Sequence, residues 1–108
     1  MEEIREPSFL VLTALANGPR HGYGVIADVA SITGGRVRLR PGTLYAALDR
    51  LSVDGYVAVA GEEVVDGRLR RYYTLTEPGA AALAAEADRL RERADQAIRR
   101  LRARTVPA

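Results

Sequence analysis

The chain reads as a mainly α protein carrying one small β-hairpin, and three observations predict this. Residues 8–16 and 23–32 are two apolar stretches, each closed by a glycine-containing break. A short amphipathic segment from Pro41 leads through Asp54-Gly55 into two runs of strand-forming residues. After Thr76 a long segment repeats Leu and Ala at spacings of four and three. Helix, helix, helix, hairpin, helix is the order of a winged helix-turn-helix followed by a long terminal helix. In that fold the third helix and the hairpin grip duplex DNA together.

Taken in order, SFLVLTALA at 8–16 is almost wholly apolar, and Asn17-Gly18-Pro19 stops it. Gly suits a helix C-terminus and the Pro after it prevents continuation, so a buried helix is expected from about residue 6 to 17. In HGYGVIADVASITGG, Tyr23, Ile26 and Ala30 share one face, and Val25, Val29 and Ile32 share the next. Such a wide stripe suits a helix packed on two neighbours, ending at Gly34-Gly35. Tyr23 is expected in the core, and His21, the single His, at the start of this helix or on a phosphate there. Arg36-Val37-Arg38-Leu39-Arg40 alternates polar with apolar, which predicts a short strand with its arginines on one face.

Pro41 fits a first helical turn, where a missing N–H costs nothing. From Pro41 to Val53 a core stripe is formed by Leu44, Leu48 and Leu51 with Ala47 beside them. The opposite face holds Thr43, Tyr45, Ala46, Asp49, Arg50 and Val53: few bulky groups, one aromatic and one arginine. A surface that slides into a groove benefits from that combination. Residues 56–60 alternate as a strand, 61–67 read as a polar loop with its tip near Asp66-Gly67, and 69–76 return as a second strand.

Thr76 is a good N-cap, followed by Glu77 and Pro78 in the first turn of a helix reaching to about Arg104. Leu83, Ala87, Leu90, Ala94, Ala97 and Leu101 form a heptad seam with Ile98 flanking it, and the small alanines permit close approach of a partner. A helix of this length spans about 42 Å and must overhang a domain this small. The seam therefore predicts a homodimer. Residues 1–76 are read as the DNA-binding domain and 77–108 as the dimerisation helix, with the last residues, TVPA, frayed.

Composition narrows the function. With 108 residues and no Cys, the chain is one domain without disulfides or thiolate metal sites. The acidic start, MEEIREPS, is followed by no apolar run that could serve as a signal peptide, and no stretch is long enough to span a bilayer. A cytoplasmic protein is expected. All sixteen basic residues are Arg, and they cluster. Residues 36–50 carry Arg36, Arg38, Arg40 and Arg50 against Asp49, and 66–71 carry Arg68, Arg70 and Arg71 against Asp66. Positive charge thus collects where a winged helix would meet DNA, although Arg solvating an inert surface is the blander reading.

HGY at 21–23, PGTLYAALDRL at 41–51, DGY at 54–56 and RRYYTLT at 70–76 are together similar to the signature of the PadR family of transcriptional regulators. The resemblance covers residues 9–83 in order and spacing. It implies a winged helix-turn-helix, a C-terminal dimerisation helix, usually repression, and the short branch of the family with one long helix after the wing. Two positions depart from the pattern: Arg40 replaces the usual small polar cap, and Ala46 replaces the usual Pro after Tyr45. Relatives that stack planar ligands do so on tryptophans, which this chain lacks.

For individual residues, Arg38 and Arg40 read as phosphate anchors, since phosphates take most protein–DNA contacts. Tyr45 would touch a phosphate or base edge, or else brace the wing; Thr43 would bond a phosphate or finish the helix start. Arg50 would reach a guanine, or pair with Asp54 four residues on. Arg68 is the candidate for backbone or minor-groove contact from the wing tip. Of Arg70 and Arg71, which alternate, one would brace the wing. An enzyme is disfavoured for lack of parts, with no Cys, one His and no Gly-rich phosphate loop between strand and helix. No cofactor is implied. The better alternative is a dimeric winged-helix adaptor that uses its basic face on an acidic protein. The Ala-rich seam leaves room for a small-molecule effector at the dimer interface, and nothing in the sequence identifies one.

Overall fold

The computed structural model describes residues 4–104; the expected fraying of TVPA lies outside them. Four helices and a three-stranded antiparallel sheet follow one another as α1 (Glu6–Leu15), β1 (Arg20–His21), α2 (Gly22–Ile32), α3 (Pro41–Val53), β2 (Val57–Val65), β3 (Arg68–Leu75) and α4 (Glu77–Ala103). The core is built by the three short helices and the base of the hairpin. Leu12, Leu15, Leu44, Leu48, Val11, Val25 and Val29 are its largest fully buried side chains, with Val57 and Tyr73 closing it from the sheet.

Each helix has a local cause. The helix α1 is apolar on nearly every side because α2, α3 and α4 all pack against it. Gly18, at φ +139°, turns the chain out of it. In α2 the N-cap is His21, whose Nδ1 accepts from the Gly24 N–H at 3.2 Å. At its other end Gly34 and Gly35 adopt positive φ, and the Gly35 N–H reaches back to the Ala30 carbonyl at 2.7 Å. The helix α4 is capped by the Thr76 hydroxyl, which accepts from the Gly79 N–H at 3.0 Å and itself donates to the Gly55 carbonyl at 2.6 Å.

Four expectations are corrected. First, residues 36–40 form no strand: Val37 and Leu39 do turn inward and the arginines outward, but the segment is held by Thr33, whose Oγ1 accepts from the Val37 N–H at 3.0 Å. The third strand of the sheet is instead β1, where Arg20 pairs with Tyr73 and His21 with Tyr72. Second, residues 61–65 are strand rather than loop. The turn is only Asp66-Gly67, both at positive φ, and Val65 faces Arg68 across it. A bulge between Val59 and Gly61 bends β2 before this extension. Third, Tyr23 is 68% exposed, because α2 buries the face of Gly22, Val25 and Val29 instead. Fourth, Leu83 does not belong wholly to the overhanging part of the seam: it is partly buried against the chain's own core.

The first turns of α4 belong to that core as well. Gly79 is buried against the Tyr56 carbonyl, and any Cβ there would collide with it. Leu90 and Arg93 still border a groove with Phe9 and Val37, and past them the helix leaves the domain. Leu90, Ile98 and Leu101 are exposed, as are Ala94 and Ala97. The molecule measures 70 × 29 × 21 Å with a radius of gyration of 17.1 Å. A compact chain of this length would have about 13 Å, and the excess is the overhanging helix.

Candidate nucleic-acid interface

Helix α3 divides cleanly into two faces. Leu44, Ala47, Leu48 and Leu51 are buried, while Thr43, Ala46, Asp49 and Arg50 are exposed and Tyr45 is 44% exposed. The leucines at i, i+4 and i+7 fix the helix against the core, so the orientation of the outward face follows from hydrophobic burial alone. Arg38 and Arg40 are exposed at the entrance to α3, beside Arg36. Among the described residues no ion pair joins Arg50 to Asp54.

Between the start of α2, Tyr45 and the wing lies a groove of about 480 Å³. Its walls include His21, Tyr23, Tyr45, Arg68 and Arg70. The Tyr45 ring is seated against Gly22, where any Cβ would collide with its hydroxyl. Gly22 is therefore a site residue that periodicity does not single out. Its sequence signal is the HGY triplet, which marks the helix start but not the ring that sits on it. The His21 ring stands edge-on to Tyr72 at 5.6 Å, and the Tyr72 hydroxyl bonds Glu63. His21 thus links the helix cap to the wing.

The wing is less basic than its arginines alone imply. Because β2 runs to Val65, register places Glu63 opposite Arg70 and Glu62 opposite Arg71. Opposite charges face each other across the strands, a favourable arrangement that offsets two of the three arginines. Arg68 stands opposite Val65 instead, exposed next to the turn. Arg70 is half-buried in the groove and Arg71 is exposed, in keeping with their alternation. Arg36, Arg38, Arg40 and Arg50 face no such ladder of acids.

A recognition helix with a cleared outer face, a two-residue β1 completing a three-stranded sheet and a hairpin beside them is the winged helix-turn-helix arrangement. The sequence profile described as "Transcriptional regulator PadR-like family" matches residues 11–85. The chain belongs to the PadR-like family of transcriptional regulators. Over 79 residues it is 40% identical to the transcriptional regulator Rv3488 of Mycobacterium tuberculosis, a match spanning 73% of this chain and 60% of that protein. Over 82 residues it is 42% identical to an uncharacterised 37.1 kDa protein in transposon TN4556 of Streptomyces fradiae, across 76% of this chain and 22% of the other.

Solved structures agree in fold. A PadR family regulator from Eggerthella lenta superposes with a TM-score of 0.74 at 24% identity, over 89% of this chain and 81% of that one. Bacillus subtilis PadR in complex with operator DNA gives 0.67 at 21% identity, over 75% of this chain and 47% of the other. The PadR-like family is one of transcriptional regulators, not of enzymes. Among the described residues no group of His, Asp and Glu is arranged to hold a metal ion, and no helix is long and apolar enough to cross a membrane.

Proposed function

We propose that this PadR-like regulator is a homodimer that binds a near-palindromic operator in duplex DNA and represses the adjacent gene. The observation that carries the reading is the outward face of α3, exposed from Thr43 to Arg50 while its other face is sealed in the core. Placed in a major groove, that face would offer Ala46 and Asp49 to base edges and Arg50 to a guanine, in the bidentate manner that discriminates best. Thr43, Tyr45, Arg38 and Arg40 would hold phosphates. Arg68, and Arg70 behind it, would reach the backbone beside the wing. The B. subtilis PadR complex with operator DNA lends support through a shared fold.

The dimer rests on the distal part of α4. Leu90, Ile98 and Leu101 are exposed along one line, with Ala87, Ala94 and Ala97 beside them. Next to Leu90 a groove of about 550 Å³ opens, with Phe9, Leu10 and Val37 among its walls. Covering a Leu or Ile fully contributes about 1.5–3 kcal/mol, so a partner helix on this surface has a strong driving force. Two subunits would then present two α3 helices to half-sites about 34–36 Å apart. A small molecule between them would release DNA only by binding one arrangement more tightly than the other.

Selection of bound fragments from genomic DNA, followed by titration at several salt concentrations, tests the function. A specific site is expected to bind at least about a thousandfold more tightly than random duplex. Arg50→Ala should relax preference at one base pair per half-site, at about 1–3 kcal/mol. Equal affinity for all duplexes would favour the adaptor reading instead.

A further inference from the structure

We infer that the cleft between the start of α1 and the outward face of α3 is a second phosphate-docking site, on the side of α3 away from the wing. This rests on the DNA-binding reading above and adds a contact from the first helix, with Arg5 and Ser8 as its new members. The cleft has a volume of about 370 Å³ and is walled by Arg5 and Ser8 from one side and by Gly42, Thr43, Ala46 and Arg50 from the other.

Two helices begin at this cleft, and both begin uncapped. The N-cap residues of α1 and α3 are Arg5 and Arg40, and neither side chain bonds its first turn. The first helical bonds run from the Phe9 N–H to the Arg5 carbonyl and from the Leu44 N–H to the Arg40 carbonyl. The amides before them, including those of Ser8, Gly42 and Thr43, therefore lack the capping acceptor that His21 supplies to α2 as a ring nitrogen and Thr76 to α4 as a hydroxyl.

The independent observation is Ser8. It is 5% exposed, it lines the cleft, and among the described residues its hydroxyl makes no hydrogen bond. The hydroxyl is not sealed from solvent, so on the cleft wall it is a donor open to an incoming acceptor oxygen. Charge agrees with that polarity. Arg5 and Arg50 form no ion pair among the described residues, whereas Arg20 pairs with Asp28 and Arg99 with Glu92. Of the nearest acids, Glu6 lines the apolar groove by Phe9 instead, and Asp49 does not line the cleft. An oxyanion is the ligand class that satisfies donors alone.

Position identifies which oxyanion. Tyr45 lines the groove shared with the wing, while Thr43, Ala46 and Arg50 line this cleft, so α3 is flanked on both sides. A helix in the major groove lies between two phosphate backbones about 12 Å apart. With the wing-side groove on one strand, the α1–α3 cleft meets the other, and a phosphodiester oxygen there accepts from Ser8 and Arg5, while Arg50 on the same wall stays directed to the base edge.

The test uses the full chain and the duplex that it selects from genomic fragments. Arg5→Gln should weaken binding about tenfold at low salt and lower the salt slope by ~0.9 for each phosphate that is no longer neutralised. Arg5→Lys should restore the slope. Ser8→Ala should weaken binding several-fold with the slope unchanged, with circular dichroism and melting checking that each variant is folded. Replacing single phosphates by methylphosphonates should reveal one position per half-site whose effect disappears in Arg5→Gln. Normal affinity and slope in Arg5→Gln and Ser8→Ala, or no phosphate coupled to Arg5, would overturn the site while leaving the DNA-binding reading intact. A wild type that selects no duplex would overturn both.

Discussion

The two ends of this chain solve the problem of burial in opposite ways. Residues 8–57 hide most of their large apolar side chains, with Val11, Leu12, Val25, Val29, Leu44 and Leu48 wholly enclosed. The second half of α4 encloses none: beyond Glu86, Leu90 is 38%, Ile98 43% and Leu101 62% exposed. Both regions carry apolar patterns, α3 in the first at the core spacing of a packed helix and the distal α4 as a heptad seam. The difference lies in where the partner surface comes from. The first region finds it within 50 residues of chain, whereas the second is a rod that leaves the domain. The proposed dimer rests on this difference, a regular apolar seam that the described residues leave uncovered.

The same substitution at the two ends breaks that comparison open. Leu48→Ala should cost about 2–5 kcal/mol in urea unfolding, because the fully buried side chain leaves a cavity. Leu101→Ala should change the intrinsic stability of the subunit by less than about 0.5 kcal/mol, as surface changes do, yet raise the dimer dissociation constant measured by sedimentation. If both variants lost equal stability at every protein concentration, α4 would be folded on its own subunit.

Smaller effects sharpen the junction between the two regions. Gly79→Ala forces a methyl into the Tyr56 carbonyl and should cost about 1–3 kcal/mol of thermal or urea stability. Thr76→Ala removes the cap of α4 and its bond to Gly55, at about 1 kcal/mol. Arg68→Ala should leave stability unchanged, weaken all duplexes alike and flatten the salt slope of binding. A loss confined to one operator position would contradict its backbone role.

Much of the architecture is legible in the residues alone. The bounds of α3 and its two faces follow from Pro41, Asp54-Gly55 and three leucines; the turn at Asp66-Gly67 and the cap at Thr76 follow from residue chemistry. The rest is hidden for physical reasons. A two-residue strand such as β1 has no periodicity, and Arg20 and His21 join the sheet only because Tyr72 and Tyr73 pass beside them. Residues 61–63, Gly-Glu-Glu, have little intrinsic preference for a strand and extend through pairing with β3, where Arg70 and Arg71 lie across from the two acids. Tyr23 sits on an apolar stripe by spacing, but the stripe is wider than the surface that covers it. Among the candidate site residues, Thr43, Tyr45, Ala46, Asp49 and Arg50 gather on one face as their spacing implies. Arg68 and Arg70 come to the same side through the hairpin, a long-range event that no local pattern encodes.

Sedimentation equilibrium of the wild type, measured together with Leu90→Arg at the concentrations used for DNA binding, tests the paired-subunit account most directly. Twice the 11.7 kDa chain mass is expected for the wild type, with the variant falling to a single chain mass and losing operator affinity. A wild type that sediments as one chain while binding its operator selectively would contradict it.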